Sequence, residues 1–264
     1  MPIPNIDLTL IGGPTVLIEV AGARFLTDPT FDPPGVYPLG AVRLEKTQGP
    51  ALTPDQVGQV DAVLLSHDQH ADNFDKAGRA FALKTQVIVT TPAAAYRMGQ
   101  NALGLESWKS TTVTAANGVR YTITAVPARH GPPGAEKVLG DVAGFVIQGP
   151  RGEDLVYVTG DTVFYDQVAR VARRFRPQVI IVCAGAAKTR GPFNLTMGNN
   201  DVLELAATFP DARIVAVHNT GWTHFTEAPE AVGKVAQTFD LAGRLITLTP
   251  GVKTRLSPVM APAD

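Results

Sequence analysis

A dense group of residues able to bind metal lies in the stretch V-L-L-S-H-D-Q-H-A-D-N-F-D, residues 63–75. A short apolar run ends at Ser66, and two histidines, three aspartates and an asparagine follow within nine positions. The apolar run predicts a buried strand, so the polar residues would leave its carboxyl end and enter a loop. Imidazole and carboxylate groups at this density favour a divalent cation such as zinc, manganese or iron(II). The alternative interpretation is a solvated loop that happens to be rich in His and Asp.

The remaining histidines of the chain lie in similar places. The sequence has five histidines in three groups: His67 with His70, His130 alone, and His218 with His224. The first member of each group follows an apolar, strand-like run, and Asp161 does the same. A single histidine at such a position is usually a core residue bonded to the backbone, but three groups at strand ends are a much less probable coincidence. Loops at one edge of the sheets would bring these side chains together, so the pattern predicts a metal site.

The elements that would position these residues alternate between strands and helices. Apolar and β-branched runs predict strands within 6–20, 23–27, 86–90, 111–126, 144–148, 155–159, 179–182, 213–217 and 244–248. Composition favours helices at 75–84, 92–98, 163–173, 200–209 and 229–239, with a further helix start at residues 53–55. Asn117-Gly118 indicates a hairpin, and the proline-rich sequence at 33–38 indicates a surface loop. No linker or repeat divides the chain, so we predict a single domain over residues 1–264, of mixed α/β type with helices outside two sheets.

Composition and charge limit the classes of function. The 264 residues are 45% hydrophobic and carry a formal charge of −1, which gives no general attraction to nucleic acid or to an anionic membrane. No apolar run reaches membrane-spanning length, and the N-terminus lacks the features of a secretory signal. A single cysteine, Cys183, cannot form an internal disulfide, which favours the cytoplasm. The sequence therefore predicts a small-molecule substrate, no nucleic-acid partner and no membrane span, and leaves a homo-oligomer open.

The motifs resemble those of the metallo-β-lactamase superfamily. There, H-x-H-x-D-H follows a strand and a Ser or Thr, and an isolated His, a Gly-Asp pair and a late His come after it. The corresponding segments here are S-H-D-Q-H-A-D-N, R-H-G, T-G-D-T and V-H-N-T-G-W-T-H-F, in the same order. The resemblance covers nearly the whole chain. Within the superfamily it is nearest to one branch, which includes ascorbate-6-phosphate lactonase-like proteins and the phospholipase D that hydrolyses N-acyl-phosphatidylethanolamine. It implies the metallo-β-lactamase fold, a four-layer αβ/βα sandwich with the metals at one edge.

The resemblance also implies a ligand set, with one departure. The first motif has one residue more than the family pattern, so His67 or Asp68 takes the first position; we favour His67 because it directly follows Ser66. By resemblance, one metal would be held by His67, His70 and His130, a second by Asp72 and His218, and Asp161 would bridge them. Asn73 replaces the last histidine of the motif, which weakens the second position. The implied cofactor is one or two divalent ions, with zinc ahead of manganese and iron.

The expected chemistry is hydrolysis of a small ester, lactone or phosphodiester, because a bound metal lowers the pKa of water to ~7. Asp72 would orient the resulting hydroxide, and His224 would protonate a leaving group, contact substrate or pack against Trp222.

Two alternatives are an iron-dependent oxidoreductase of the same fold and a degenerate, non-catalytic binding protein. Asp28 would support the metal ligands or form a turn, and we favour the turn. Cys183 is interpreted as a small buried residue. Lys188 and Arg190 would meet an anionic substrate or belong to a solvated loop, and we favour the loop.

Overall fold

The computed structural model describes residues 3–39 and 42–258. Its strands, in chain order, are β1 (Ile6–Gly12), β2 (Thr15–Val20), β3 (Ala23–Thr27), β4 (Gly35–Leu39), β5 (Val42–Lys46), β6 (Ala62–Leu64), β7 (Ile88–Thr90), β8 (Ala102–Gly104), β9 (Ser110–Thr114), β10 (Arg120–Pro127), β11 (Ala143–Gln148), β12 (Asp154–Val158), β13 (Val179–Cys183), β14 (Arg213–Val217), β15 (Leu245–Ile246) and β16 (Thr254–Leu256). The helices are α1 (Pro54–Val57), α2 (Lys76–Ala82), α3 (Pro92–Met98), α4 (Glu136–Leu139), α5 (Asp166–Val171), α6 (Asn199–Thr208) and α7 (Pro229–Thr238). Within the described ranges, no helix is long and apolar enough to cross a membrane.

The strands form two seven-stranded sheets, in the orders β16-β1-β2-β3-β6-β7-β8 and β15-β14-β13-β12-β11-β10-β9. In each sheet one half is antiparallel and built from hairpins, and the other half is parallel. Short turns suffice for the antiparallel half, whereas parallel neighbours need longer crossovers, which here carry the helices. The predicted hairpin at Asn117-Gly118 joins β9 to β10, with Gly118 at a φ of +80°.

The side chains of β13 show why two sheets pack into four layers. Val179, Ile181 and Cys183 belong to the core between the sheets, whereas Ile180 and Val182 face the opposite side, among side chains of α5, α6 and α7. Both faces of the strand are apolar because both are buried, as expected for the parallel part of a sheet. On the first sheet, residues of β1, β3 and β7 pack outward against α2 and α3. The αβ/βα sandwich predicted from the sequence is confirmed.

The structure differs from the sequence-based prediction in one element close to the functional site. The proline-rich segment expected to be a surface loop forms β4, which pairs with β5 as a separate two-stranded hairpin. Pro38 is tolerated in β4 because that strand has a single neighbour and need not donate a hydrogen bond on its other side. The β4–β5 hairpin contacts the loop that follows β14, through the hydrogen bonds from Thr47 N to Gly221 O and from Thr223 N to Glu45 O.

Candidate metal centre

The residues with metal-binding side chains lie just beyond the ends of strands. His67, His130 and Asp161 each lie three residues beyond the last residue of β6, β10 and β12, and His218 directly follows β14. Strands β10, β12 and β14 run in the same direction within the second sheet, so their carboxyl ends meet at one edge. The loop after β6 reaches the same place from the first sheet. The sequence-predicted positions are therefore brought together by both sheets.

Three imidazoles form the centre of this group. Their ligand nitrogens, in His67, His70 and His130, all lie within 4.8 Å of one another, and the three side chains are buried. His67 Nε2 and His70 Nδ1 are 2.9 Å apart. Two neutral imidazole nitrogens can approach so closely when one carries a proton or when a cation accepts both lone pairs.

Hydrogen bonds on the far side of two rings assign their tautomers. His130 Nδ1 donates to the carbonyl oxygen of Leu195 at 2.8 Å, which leaves the Nε2 lone pair facing the other imidazoles. His67 Nδ1 lies 2.9 Å from Ser66 Oγ, and this hydroxyl donates to Asp28 Oδ2 at 2.9 Å. His67 Nδ1 is therefore the donor to Ser66, and its Nε2 also presents a lone pair to the centre.

Two carboxylates and two further histidines extend the cluster. Asp161 Oδ2 lies 3.8 Å from His130 Nε2 and 3.5 Å from His218 Nε2. Asp72 Oδ2 lies 3.7 Å from His218 Nε2 and 2.9 Å from His224 Nε2. All five histidines of the sequence thus belong to one continuous group with two aspartates.

Asp68, which the sequence left as an alternative first ligand, lies elsewhere. Its carboxylate accepts hydrogen bonds from Arg97 of α3, with Nε at 3.1 Å from Oδ2, and it lies 4.0 Å from the guanidinium of Arg79. These two cations hold the carboxylate outside the imidazole group. The extra residue of the motif therefore projects outward, and His67 occupies the position next to His70 and His130.

Burial and neighbouring charges set the protonation states at this centre. Burial lowers the pKa of His67 well below its ordinary value, and burial together with His130 lowers the pKa of His70 to about 4. Burial alone would raise the pKa of Asp161, but His218 and His130 hold it well below its ordinary range. Neutral imidazoles thus face an ionised carboxylate at neutral pH, which is the state that binds cations.

The donor atoms of the cluster fit a divalent cation. Among the described residues, no hydrogen-bond partner reaches the buried atoms Asp72 Oδ1, Asp161 Oδ1, His218 Nδ1, His218 Nε2 and His224 Nδ1. A buried polar group without a partner costs about 1–3 kcal/mol, so this many in one place indicates a missing binding partner. His218 also has a φ of +54°, a left-handed conformation that is rare outside glycine and is frequent at functional sites. Nitrogen and oxygen donors in this ratio suit zinc, manganese or iron(II).

Asp28 has a supporting role at the site, which the sequence allowed as the less favoured of two interpretations. Its Oδ1 accepts a hydrogen bond from Ser66 N at 2.6 Å, in addition to the bond that Oδ2 accepts from Ser66 Oγ. Burial raises the pKa of Asp28 to about 7. Through Ser66 this carboxyl group orients the ring of His67. The only signal in the sequence is the position of Asp28 directly after β3, which pairs with β6.

Of the remaining sequence candidates, Cys183 borders the cluster, because its thiol lies beside the Asp161 carboxylate, whereas Lys188 and Arg190 lie nearer the surface. Cys183 is buried in the core between the sheets, and burial raises the pKa of its thiol well above the ordinary value. Arg190 is exposed, and Lys188 is partly exposed with its backbone N donating to His224 O at 3.0 Å.

A constricted cavity of about 10 Å³, enough for about one water molecule, lies beside the cluster and is lined partly by apolar side chains. His70, Asp72, His130 and His224 form its floor, and its walls are made by Leu44 of β5, Leu139 of α4, Leu195, Ala187 and Thr189. The walls come from the hairpin, from the segment between β10 and β11, and from the segment after β13. The cavity therefore requires elements that lie far apart in the sequence.

Comparison with known proteins identifies the family and supports the fold. A family model described as a beta-lactamase superfamily domain matches residues 23–219. The UPF0173 protein YddR of Bacillus subtilis (strain 168) is 27% identical over 234 residues, which cover 85% of this chain and 89% of that protein. An isothiocyanate hydrolase from Delia radicum gut bacteria superposes with a TM-score of 0.79 at 24% identity, covering 94% of this chain and 98% of that chain. A structure described as a possible metal-dependent hydrolase from Veillonella parvula has a TM-score of 0.81 at 22% identity, covering 97% and 100%. These structural likenesses establish a shared fold.

Proposed function

The chain belongs to the β-lactamase superfamily, and from this premise we propose that it is a metal-dependent hydrolase acting on a small, neutral, largely apolar substrate. The observation that carries the proposal is the convergence of buried imidazoles and carboxylates with unpartnered donor atoms at the floor of a partly apolar cavity. The names of relatives agree with it, since several are UPF0173 metal-dependent hydrolases. The finer resemblance to the lactonase and phospholipase D branches stays a prediction.

Each group at the floor of the cavity has a defined task in this proposal. His67, His70 and His130 would hold a divalent cation, with Asp161 beside them. Such a cation lowers the pKa of water to ~7 and polarises a substrate oxygen or sulfur. The carboxylates of Asp72 and Asp161 stay ionised because their pKa values are lowered by the neighbouring histidines, so both accept hydrogen bonds from water or substrate. The leucine walls exclude bulk water from the reacting groups.

The lining of the cavity favours neutral substrates. Its described walls and floor include no lysine or arginine, and they include the ionised carboxylate of Asp72. In this lining a phosphodiester would find only the metal and the exposed Arg190 near His70 as positive charges, whereas a neutral ester needs no such compensation. Esters and lactones are therefore favoured over phosphodiesters. Isothiocyanates, the substrates of the structural neighbour from Delia radicum gut bacteria, are small and neutral electrophiles of the same kind.

The proposal is tested with a panel of isothiocyanates, lactones, aryl esters and aryl phosphodiesters, assayed on protein loaded with zinc, manganese or iron(II). We expect hydrolysis of neutral members, loss of activity on chelation and recovery on adding metal. Asp161→Asn should lower kcat/KM by at least ~100-fold, because an ionised group next to the metal position is removed. Asp166→Asn, an exposed carboxylate at the start of α5, is the matched control and should be unaffected.

Two outcomes would contradict the proposal. Activity that persists in Asp161→Asn and after chelation would exclude metal-dependent hydrolysis. Faster turnover of phosphodiesters than of all neutral substrates would contradict the assignment of substrate class. Dioxygen consumption with iron alone would instead favour the oxidoreductase alternative, and a chain that binds no metal would favour the non-catalytic one.

A further inference from the structure

We propose that His224 takes the place of the histidine missing from the first motif and completes, with Asp72 and His218, a second metal-binding position beside the first. This inference rests on the metal dependence proposed above but not on the reaction or its substrate. It concerns a residue outside the part of the chain that the family model matches, which ends at residue 219.

Asn73 stands where the motif has its last histidine; its Nδ2 faces Asp28, and its Oδ1 is buried without a hydrogen-bond partner among the described residues. The residue is fully buried, and its Nδ2 donates toward Asp28 Oδ2 at 3.4 Å. Asn73 therefore belongs to the hydrogen-bonded group that supports Ser66 and His67. Its amide oxygen is a neutral donor and a weaker metal ligand than imidazole. A second position held by Asp72 and His218 would lack one nitrogen donor.

His224 brings an imidazole to this gap from the other sheet. Its Nε2 lies 2.9 Å from Asp72 Oδ2, and the same oxygen lies 3.7 Å from His218 Nε2. Donors that share one ion at about 2.1 Å lie roughly 3–3.5 Å apart, so these side chains would have to shift by a few tenths of an ångström to share an ion, whereas the ligand atoms of His67, His70 and His130 are already gathered within 4.8 Å. Asp161 Oδ2 is 3.5 Å from His218 Nε2 and 3.8 Å from His130 Nε2, so this carboxylate lies between the two groups of donors.

Unpartnered atoms point to the same position. Asp72 Oδ1 and both ring nitrogens of His218 are buried and have no hydrogen-bond partner among the described residues. His218 is 1% exposed. If the pair of Asp72 and His224 were only a hydrogen bond, it would leave the nitrogens of His218 unsatisfied. A cation between these side chains would satisfy Asp72 Oδ1 and the Nε2 of His218, since a neutral imidazole offers one lone pair.

The loop that carries His224 is held in place by its neighbours. Its backbone is bonded on one side to β5, through Thr223 N to Glu45 O, and on the other to the segment after β13, through Lys188 N to His224 O. The ring packs between Trp222 and Phe225, with centroid separations of 5.9 Å and 4.5 Å. A ligand must be held in a fixed geometry, and these contacts provide it.

The test counts metal ions and does not use activity. The full chain is stripped of metal and titrated with Co(II), and bound cobalt is measured by mass spectrometry and by visible absorption. We expect two ions per wild-type chain and a loss of about 100-fold or more in the affinity of one of them in His224→Ala. Thr223→Ala, an exposed neighbour in the same loop, is the matched control and should bind two ions as the wild type does.

His224→Cys separates the loss of a ligand from the loss of folding. A thiolate that coordinates Co(II) produces an intense charge-transfer band, so this variant should keep two ions and show a band absent from the wild type. Both proteins are made in a Cys183→Ala background, because the native thiol lies beside Asp161 and could itself bind cobalt. Two equally tight ions in His224→Ala, or one ion in the wild type, would overturn the inference while leaving the proposed function intact. A wild-type chain that binds no metal would overturn both.

Discussion

Neighbouring histidines of the cluster have pKa values that are shifted in opposite directions. Burial and adjacent imidazoles lower the pKa of His67 and His70, whereas the carboxylates of Asp161 and Asp72 overcome the effect of burial and raise the pKa of His218. The difference follows from position, since His218 lies 3.5 Å and 3.7 Å from the two carboxylates. The metal-free protein therefore holds two imidazoles with lowered pKa values next to one with a raised pKa.

The depressed pKa of His70 has a consequence for the stability of the metal-free protein. Between pH 6.5 and about 4, the unfolded chain binds a proton at this residue and the folded protein does not. The free energy of unfolding therefore decreases as the pH falls through this range. His70→Gln lacks the proton site. As the pH falls from 7 to 5, we expect its free energy of unfolding to rise by about 1–2 kcal/mol relative to that of the wild type. Urea unfolding of both proteins in chelator at several pH values measures this difference. A difference that does not change with pH would contradict the assignment.

At the scale of elements, one buried carboxylate joins three segments around the site. Asp75 caps the start of α2 by accepting from Gly78 N at 2.8 Å, and it also accepts from Phe31 N at 2.9 Å. Its Oδ2 pairs with Lys46 of β5 at 3.2 Å, and both side chains are almost fully buried. The β4–β5 hairpin, α2 and the segment after β3 are thereby fixed to one another. These contacts hold the hairpin in a fixed position, so that Leu44 of β5 forms part of the cavity wall.

Two helical glycines should respond oppositely to substitution by alanine. A Cβ at Gly78 in α2 would lie 1.7 Å from Pro29 O, next to Asp28, whereas a Cβ at Gly233 in α7 meets no atom within 4 Å. Gly78→Ala should therefore lower the free energy of unfolding by about 1–3 kcal/mol, because the helix must move away from the segment after β3. Gly233→Ala should raise it by about 0.5–1 kcal/mol through helix propensity. Urea unfolding of both variants tests the contrast, and similar values for the two would show that α2 does not approach Pro29 so closely.

At the scale of the whole molecule, the cluster lies where the two sheets meet. His67, His70 and Asp72 follow β6 of the first sheet, whereas His130, Asp161 and His218 follow strands of the second. An ion bound by this set would add a further connection between two halves of the fold that share an apolar core and hydrogen bonds such as that from His218 N to Gly13 O. Metal binding and folding should therefore be coupled.

Metal should raise the thermal stability of the chain, and single variants should show which side chains hold it. At a zinc concentration of about 100 times Kd, we expect about 2.7 kcal/mol of stabilisation and a rise in Tm of roughly 5–10 °C. His130→Gln should abolish most of this shift. Asp68→Asn should retain it, because the Asp68 carboxylate is bound to Arg97 outside the cluster. A loss of the shift in Asp68→Asn equal to that in His130→Gln, measured by calorimetry with and without zinc, would contradict the choice of His67 over Asp68.

The sequence alone determined the class of fold and the positions from which a site would be built. Apolar runs with polar residues at their carboxyl ends are local patterns, and the geometry of parallel strands brings such ends to one edge. His67, His130, Asp161 and His218 could be found in this way because each follows its own strand. The single domain over residues 1–264, the cytoplasmic location and the homo-oligomer stay predictions.

The tertiary structure alone decided which of these side chains face one another. Arg97 lies 29 residues beyond Asp68 and removes it from the centre, and His224 reaches Asp72 across 152 residues of sequence. The role of Asp28 depends on the pairing of β3 with β6, and the wall of the cavity depends on where the β4–β5 hairpin packs. Local patterns record whether a residue is buried and where a strand ends. Contacts between distant segments depend on the balance of charge, burial and packing in the folded chain, which no short stretch of sequence contains.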